Sequence, residues 1–278
     1  MMQHATETQP LLFELDPGRR YSNSLFSIAR DFWCISSQAY ILEAADALQK
    51  LEGVNAVAVV DAERHVLGIV QREALYFVRD LEGGGVFAAL CDVSGKGVAA
   101  SIIVAMVWGF LKAFDFRKGL RELIVNLNQT VVSTFHMEKY LTGFFMIYKP
   151  GENKLLCADM GHSHVFFIRN HRIAPVRGKK LNFPVGIEYD ISPSLMKISL
   201  KPEDTLVVYS DGIVEQEDHG NNEFGEEQLA RFLVDNISSG ESLKTAFPLI
   251  IDEFRGNVPQ HDDMSFLRFH FTGVKVTA

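Results

Sequence analysis

The spacing of apolar residues changes along this chain, and the changes mark its elements. Leu25, Ile28, Ala29 and Phe32 recur at helical spacing within Ser24 to Trp33, which predicts a short helix. Ile41 to Leu51 reads as an amphipathic helix with Leu42, Ala45, Leu48 and Leu51 on one side, ended by Gly53. Two short apolar strands follow, Ala56 to Val60 and His65 to Val70, joined by the polar turn Asp61 to Arg64, and Gln71 to Val78 reads as a further helix. Three glycines, Gly83 to Gly85, then turn the chain into the apolar strand Val86 to Cys91, which ends on Asp92. Helices are expected to about Phe114 and over Leu120 to Phe135. Strands are expected at Leu141 to Tyr148, Lys154 to Ala158, Val165 to Arg169, Met196 to Leu200 and Thr205 to Tyr209. Two late helices, Glu226 to Asn236 and Leu243 to Phe254, precede a last strand from Met264 to Phe271. Paired helices followed by many short strands point to an α+β layered fold, not a parallel βαβ array.

Composition narrows the class. With 278 residues, 47% of them hydrophobic, the chain can bury a substantial core. The 35 acidic residues outnumber the 27 basic ones for a net charge of −8, which argues against a nucleic-acid binder. The most apolar stretch, Val98 to Phe114, is interrupted by Ser101, Gly109 and Lys112 and is too short to span a bilayer, so no membrane insertion is expected. Cys34, Cys91 and Cys157 are odd in number and lack metal-binding spacing; a reducing, cytoplasmic setting fits.

The order helix, strand, turn, strand, helix around Ala56-Val57-Ala58-Val59-Val60-Asp61 and Gly68-Ile69-Val70 resembles one half-repeat of a CBS domain. Such repeats pair, and one is found here, which would favour a homodimer. An ordinary hairpin flanked by helices is the plainer reading.

Three aspartate clusters stand at ends of apolar strands. Asp92 closes Val86 to Cys91, Asp211 follows Leu206 to Tyr209, and Asp262-Asp263 opens Met264 to Phe271. Aspartate is poor inside strands and costly to bury alone. Singly, each could cap a turn. Converging, the carboxylates would repel one another unless a cation lay between them, and hard oxygen ligands suit Mg²⁺ or Mn²⁺.

The neighbours of these residues carry a resemblance. Asp92-Val93-Ser94-Gly95-Lys96-Gly97-Val98, Thr142-Gly143-Phe144-Phe145, Asp159-Met160-Gly161-His162, Pro184-Val185-Gly186, Asp204 through Gly212, Glu223-Phe224-Gly225 and Asp262-Asp263-Met264 occur in order. Together they resemble the SpoIIE/RsbU-type branch of the metal-dependent protein serine/threonine phosphatases, the PPM family, over residues 81–278. The resemblance implies an α-β-β-α sandwich of two antiparallel sheets flanked by helices. It also implies two Mn²⁺ or Mg²⁺ ions that activate a water for attack on the phosphorus of a phosphorylated protein. Carried over by position, Asp92 would bridge both ions and the Val93 carbonyl would contact one. Asp211 and Asp262 would hold the other, with Asp263 as an auxiliary ligand. Relatives often act on small anti-anti-sigma proteins, which the resemblance extends to this chain as an expectation.

One departure matters. The family carries a further aspartate upstream, in a valine-glycine-glycine-aspartate motif; here the stretch is Val70-Gln71-Arg72-Glu73. Glu73 or Asp80 could replace it, whereas the CBS-like reading puts Glu73 on a helix. The chain thus divides into a leader, 1–34, a CBS-like half-repeat or altered first strands, 35–80, and the phosphatase-like domain. Two functions follow: a phosphatase, or a weakened pseudophosphatase acting as a regulatory binding module. Among lesser signals, His162 and His164 read as part of a turn, Lys96 as a substrate contact, Arg169 to Lys180 as a solvated basic hairpin, and Met106 and Trp108 as core.

Overall fold

A computed structural model describes residues 12–14, 33–36, 56–60, 66–71, 74–95, 98–236, 240–262 and 264–273. The helix expected over 41–51, most of that over 24–33, and Glu73, Lys96, Gly97 and Asp263 lie outside these residues. Nine strands form one sheet, in the order β1 (Leu12–Glu14), β2 (Trp33–Ser36), β3 (Ala56–Val60), β4 (Val66–Gln71), β5 (Ala74–Leu81), β6 (Gly85–Val93), β7 (Leu141–Lys149), β8 (Lys154–Met160) and β11 (Met196–Ser199). Neighbours run antiparallel except the parallel pair β2 and β3. A second, four-stranded antiparallel sheet has the order β10 (Arg172–Pro175), β9 (Val165–Arg169), β12 (Asp204–Tyr209) and β13 (Phe266–Phe271).

Side-chain alternation sorts the strands into layers, because successive residues of a strand face opposite ways. On β6, Phe87, Ala89, Cys91 and Val93 pack against helices α1 (Val98–Ala113) and α2 (Leu120–Phe135), while Ala88 and Leu90 join Phe144, Leu206 and Val208 between the sheets. On β12, Val207 and Tyr209 turn outward to α4 (Gly225–Asn236) and α5 (Gly240–Arg255). Three separate apolar clusters therefore fill the three interfaces of a four-layer α-β-β-α sandwich, as expected.

Ala74 to Val78, expected as part of a helix over Gln71 to Val78, lies in strand β5. β5 pairs with β6 residue by residue from Ala74 opposite Asp92 to Leu81 opposite Gly85. Leu75 and Phe77 are buried while Val78 is exposed, a period-two pattern that buried helices cannot give. This register also places Asp80, opposite Val86, at the far end of the hairpin, about 20 Å along the strand from Asp92. Asp80 therefore cannot replace the upstream aspartate beside Asp92.

Two polar devices tie elements of the fold together. Asn128, fully buried on the apolar face of α2, accepts from the Gly186 N–H at 2.8 Å and donates to the Glu188 carbonyl at 2.8 Å. Gly186 has φ 104° and an added Cβ would lie 2.6 Å from Val131 Cγ1, so the loop approaches the helix more closely than any other residue allows. At the other end of the molecule, Arg169 grips Asp204 through two hydrogen bonds of 2.8 and 2.6 Å, joining β9 to β12. Burial pushes the Asp204 carboxyl up, but the Arg169 guanidinium and the Lys201 N–H outweigh it and hold the group below its usual range.

Both devices are testable by equilibrium denaturation. Asn128→Ala should cost about 2 kcal/mol or more, because it orphans a buried N–H and a carbonyl. Arg169→Ala should cost about 3 kcal/mol by stranding the Asp204 carboxylate, which is 1% exposed. A carboxyl with a lowered folded pKa stabilises the protein above its unfolded value and loses that stabilisation as the pH falls. The gap between wild type and Arg169→Ala should therefore narrow below about pH 4.

Candidate active site

One short connection joins the two sheets at the end that carries the candidate carboxylates. β8 ends at Met160 in the first sheet and β9 begins at Val165 in the second, so four residues, 161–164, make this crossing between the layers. The Asp159 carboxylate accepts the His162 N–H at 2.8 Å and the Ser163 N–H at 3.2 Å, closing this turn. Gly161 takes φ 74°, and Pro184 packs so closely on it that a Cβ would come within 2.9 Å of the ring. The sheets are thereby joined at the end where β6 finishes, and Asp92 shares the face of Ala88 and Leu90, toward the space between the sheets.

On the second sheet, β12 finishes at the same end. The Ser210 N–H donates to the Ser265 carbonyl at 2.9 Å and the Ser265 N–H to Ser210 Oγ at 2.8 Å, which brings Asp211 beside the segment that opens β13. Asp211 begins the one-turn helix α3 (Asp211–Val214), and its carboxylate accepts the Gly212 N–H at 2.8 Å. Gln216, fully buried, donates to the Pro259 carbonyl at 3.2 Å and draws the chain before Asp262 against that turn. Asp92, Asp211 and Asp262 are each half-buried at this common edge. Ser94 fixes the turn after Asp92, since its N–H donates to the Tyr140 carbonyl and its Oγ accepts the Tyr140 N–H, both at 2.9 Å.

The edge is strongly acidic, more so than the motifs alone suggest. Burial, then the charges of Asp211, Glu223 and Asp262, push the Glu215 carboxyl up, with His164 pulling the other way. Glu215 was not singled out from sequence; its place four residues after Asp211, at the end of a one-turn helix, is the signal that could have found it. His162 and His164 do not share a strand face. His162 is buried in the turn, its ring edge-on to that of His164 with centroids 5.7 Å apart. Burial first, and His164 second, lower the His162 pKa to about 4, against a hydrogen bond to the Tyr209 backbone, so the ring is neutral near pH 7. Burial pushes the thiols of Cys91 and Cys157 well up, which leaves neither available as a nucleophile.

The donors fit a hard cation in chemistry: carboxylates from both sheets, and a Val93 carbonyl next to Asp92, all oxygen. Among the described residues, however, no three His, Cys, Asp or Glu side chains converge on one metal position. Among them, too, no helix is long and apolar enough to cross a membrane. Asp211→Asn removes one charge that repels Glu215, so its melting temperature without metal should equal or exceed that of wild type. Wild type should melt higher in Mn²⁺ and Asp211→Asn should not; by scanning calorimetry, a variant that keeps the full Mn²⁺ effect would exclude Asp211 from the site.

Comparison with known proteins agrees with this architecture. Residues 82–272 match the sequence profile of the family described as Stage II sporulation protein E (SpoIIE). Among solved structures, the SiaA-PP2C domain of Pseudomonas aeruginosa superposes with a TM-score of 0.63 at 19% identity, over 72% of this chain and 81% of that one. The RsbU and RsbW domains of a Mycobacterium tuberculosis protein give 0.60 at 15% identity, over 79% of this chain and 60% of theirs. The phosphatase domain and regulatory fragment of SpoIIE from Bacillus subtilis give 0.55 at 20% identity, over 70% of this chain and 57% of that one. No curated protein matches the chain in sequence. The profile match over more than half its length makes this chain a member of the SpoIIE family of protein serine/threonine phosphatases.

Proposed function

We propose that this protein hydrolyses phosphoserine or phosphothreonine on a signalling protein, using Mn²⁺ or Mg²⁺ held at the shared edge of the two sheets. The observation that carries the reading is the placement of Asp92 on the inner face of one sheet and of Asp211 and Asp262 at the same end of the other. Asp92 and the Val93 carbonyl would hold metal from the first sheet, Asp211 and Asp262 from the second, with Asp263 and Glu73 as further donors. Ions bound there would supply a Lewis acid for the phosphoryl oxygens and an activated water. The chain's own residues bind, orient and shield: Ser94 fixes the turn beneath Asp92, and the 161–164 connection joins the two sheets at the end where the candidate carboxylates lie. His162 stays neutral and adds no charge beside the substrate. The described cysteines offer no competing nucleophile.

Residues 35–80 are read here as altered first strands, since β4 pairs with β5 and so continues the first sheet. A SpoIIE-type phosphatase of this kind would meet small anti-anti-sigma proteins in the cytoplasm. A second reading, a regulatory module that binds without turnover, rests on Val70-Gln71-Arg72-Glu73, which lacks the aspartate that the family carries upstream.

A Mn²⁺ titration with a phosphoserine peptide separates the two. Turnover should require Mn²⁺ or Mg²⁺ and fall about a hundredfold or more in Asp92→Asn. Binding of metal without turnover at saturation would favour the regulatory module, and an unchanged rate in Asp92→Asn would refute the metal mechanism.

A further inference from the structure

The loop between β10 and β11 runs over the acidic edge and is pinned there. The Arg177 guanidinium donates to the Ser163 carbonyl. Asn182 donates to the Asp159 carbonyl at 2.8 Å and the Ser194 carbonyl at 3.0 Å, and accepts the Ser194 N–H at 2.7 Å. Val185 exchanges two 2.9 Å hydrogen bonds with Leu141. With every polar atom of Asn182 engaged inward, the residues on either side face out: Leu181 is 88% exposed and Phe183 60%. Lys179 and Lys180 stand exposed next to them.

Two large apolar side chains held in the open by a fully bonded loop are unlike scattered surface hydrophobics. Asn182 between them and Val185 beyond them hold this stretch of backbone, so docking there costs little further backbone entropy. Asp92 lies opposite Thr142 on β7, and Val185 opposite Leu141 brings Pro184 beside Thr142, about 10 Å from Asp92, with Phe183 the next residue along the loop. About three residues of extended peptide cover that distance.

We propose that Leu181 and Phe183, with Lys179 and Lys180, form the docking site for the protein segment that carries the phosphoserine, and that this segment is acidic with an apolar residue about three positions from the phosphate. The inference rests on the phosphatase reading for its substrate and deepens it. Charge complementarity selects the occupant: Lys179 and Lys180 stand exposed beside the apolar pair and attract the acidic residues of a segment bound there. The apolar pair supplies the grip, as buried aliphatic and aromatic anchors do at interfaces.

The test uses the full chain with Mn²⁺ and a fluorescein-labelled peptide in which a non-hydrolysable phosphonate analogue replaces the one phosphoserine, with glutamates on both sides and a leucine three residues after it. Fluorescence anisotropy should show Kd weakened about tenfold in the double variant Leu181→Ser, Phe183→Ser. The same weakening is expected when the peptide leucine becomes serine, with little further loss when both are changed. Lys179→Glu with Lys180→Glu should weaken the glutamate peptide and favour a lysine-flanked one. Hydrolysis of p-nitrophenyl phosphate should be unchanged in all variants, as should the melting temperature. An unaltered Kd in the apolar double variant overturns the proposal. So does loss of binding to phosphatidylserine vesicles with the peptide Kd intact, which would make the loop a membrane contact. If wild type fails to turn over p-nitrophenyl phosphate while the peptide Kd still depends on Leu181 and Phe183, the docking site stands and the hydrolytic reading falls.

Discussion

Everything at the acidic edge depends on the shortness of the crossing from β8 to β9. Residues 161–164 leave no slack, so the inner faces of two sheets must come together at one end whatever the helices outside them do. The turn is closed by the Asp159 carboxylate, which accepts the N–H groups of buried His162 and exposed Ser163. The Tyr209 N–H donates to the His164 carbonyl at 3.1 Å and ties the end of the turn to the strand that leads into Asp211. One connection thus sets the separation of carboxylates contributed by strands far apart in sequence. It also explains why the edge concentrates negative charge: the strand ends have nowhere else to go.

The opposite end of the sandwich shows the contrasting solution. There Asp204 is more deeply buried than any of the three edge aspartates, yet it is satisfied by Arg169 and the Lys201 N–H. One buried acid has a guanidinium and acts as a structural tie. The others lie half-buried at the opposite end, where burial and then the charges of Asp211, Glu223 and Asp262 raise the Glu215 carboxyl. Burial alone does not separate the two roles; the identity of the neighbouring charge does.

Much of this was readable from the residues, and the exceptions have definite causes. The second helix runs from Leu120 to Phe135 as its apolar period indicates, because Gly119 and the left-handed His136 end it cleanly. The three aspartates stood out since each follows or precedes an apolar strand, and the structure puts all three at one edge. Ala74 to Val78 reads as part of a helix from its own residues, and only pairing with β6 makes it a strand. The basic stretch Arg169 to Lys180 reads as a hairpin, and β9 and β10 form one although four residues ending in proline show no alternation of their own. Asn128 looks like a blemish on an apolar helix face, and only the loop 58 residues away reveals it as the socket for Gly186. Glu215 gains its meaning from charges that arrive from other segments, which no local pattern encodes.

The β5–β6 hairpin separates the unit that sequence comparison detects from the unit that holds together physically. The family match opens at residue 82, inside the turn of that hairpin, whereas Leu75 and Phe77 on the strand before it are part of the core beneath α1 and α2. A chain cut where the match begins would turn β6, the strand bearing Asp92, into a bare sheet edge with two vacancies behind it. Heredity and mechanics draw the border in different places, and the carboxylate strand lies just inside the wider one.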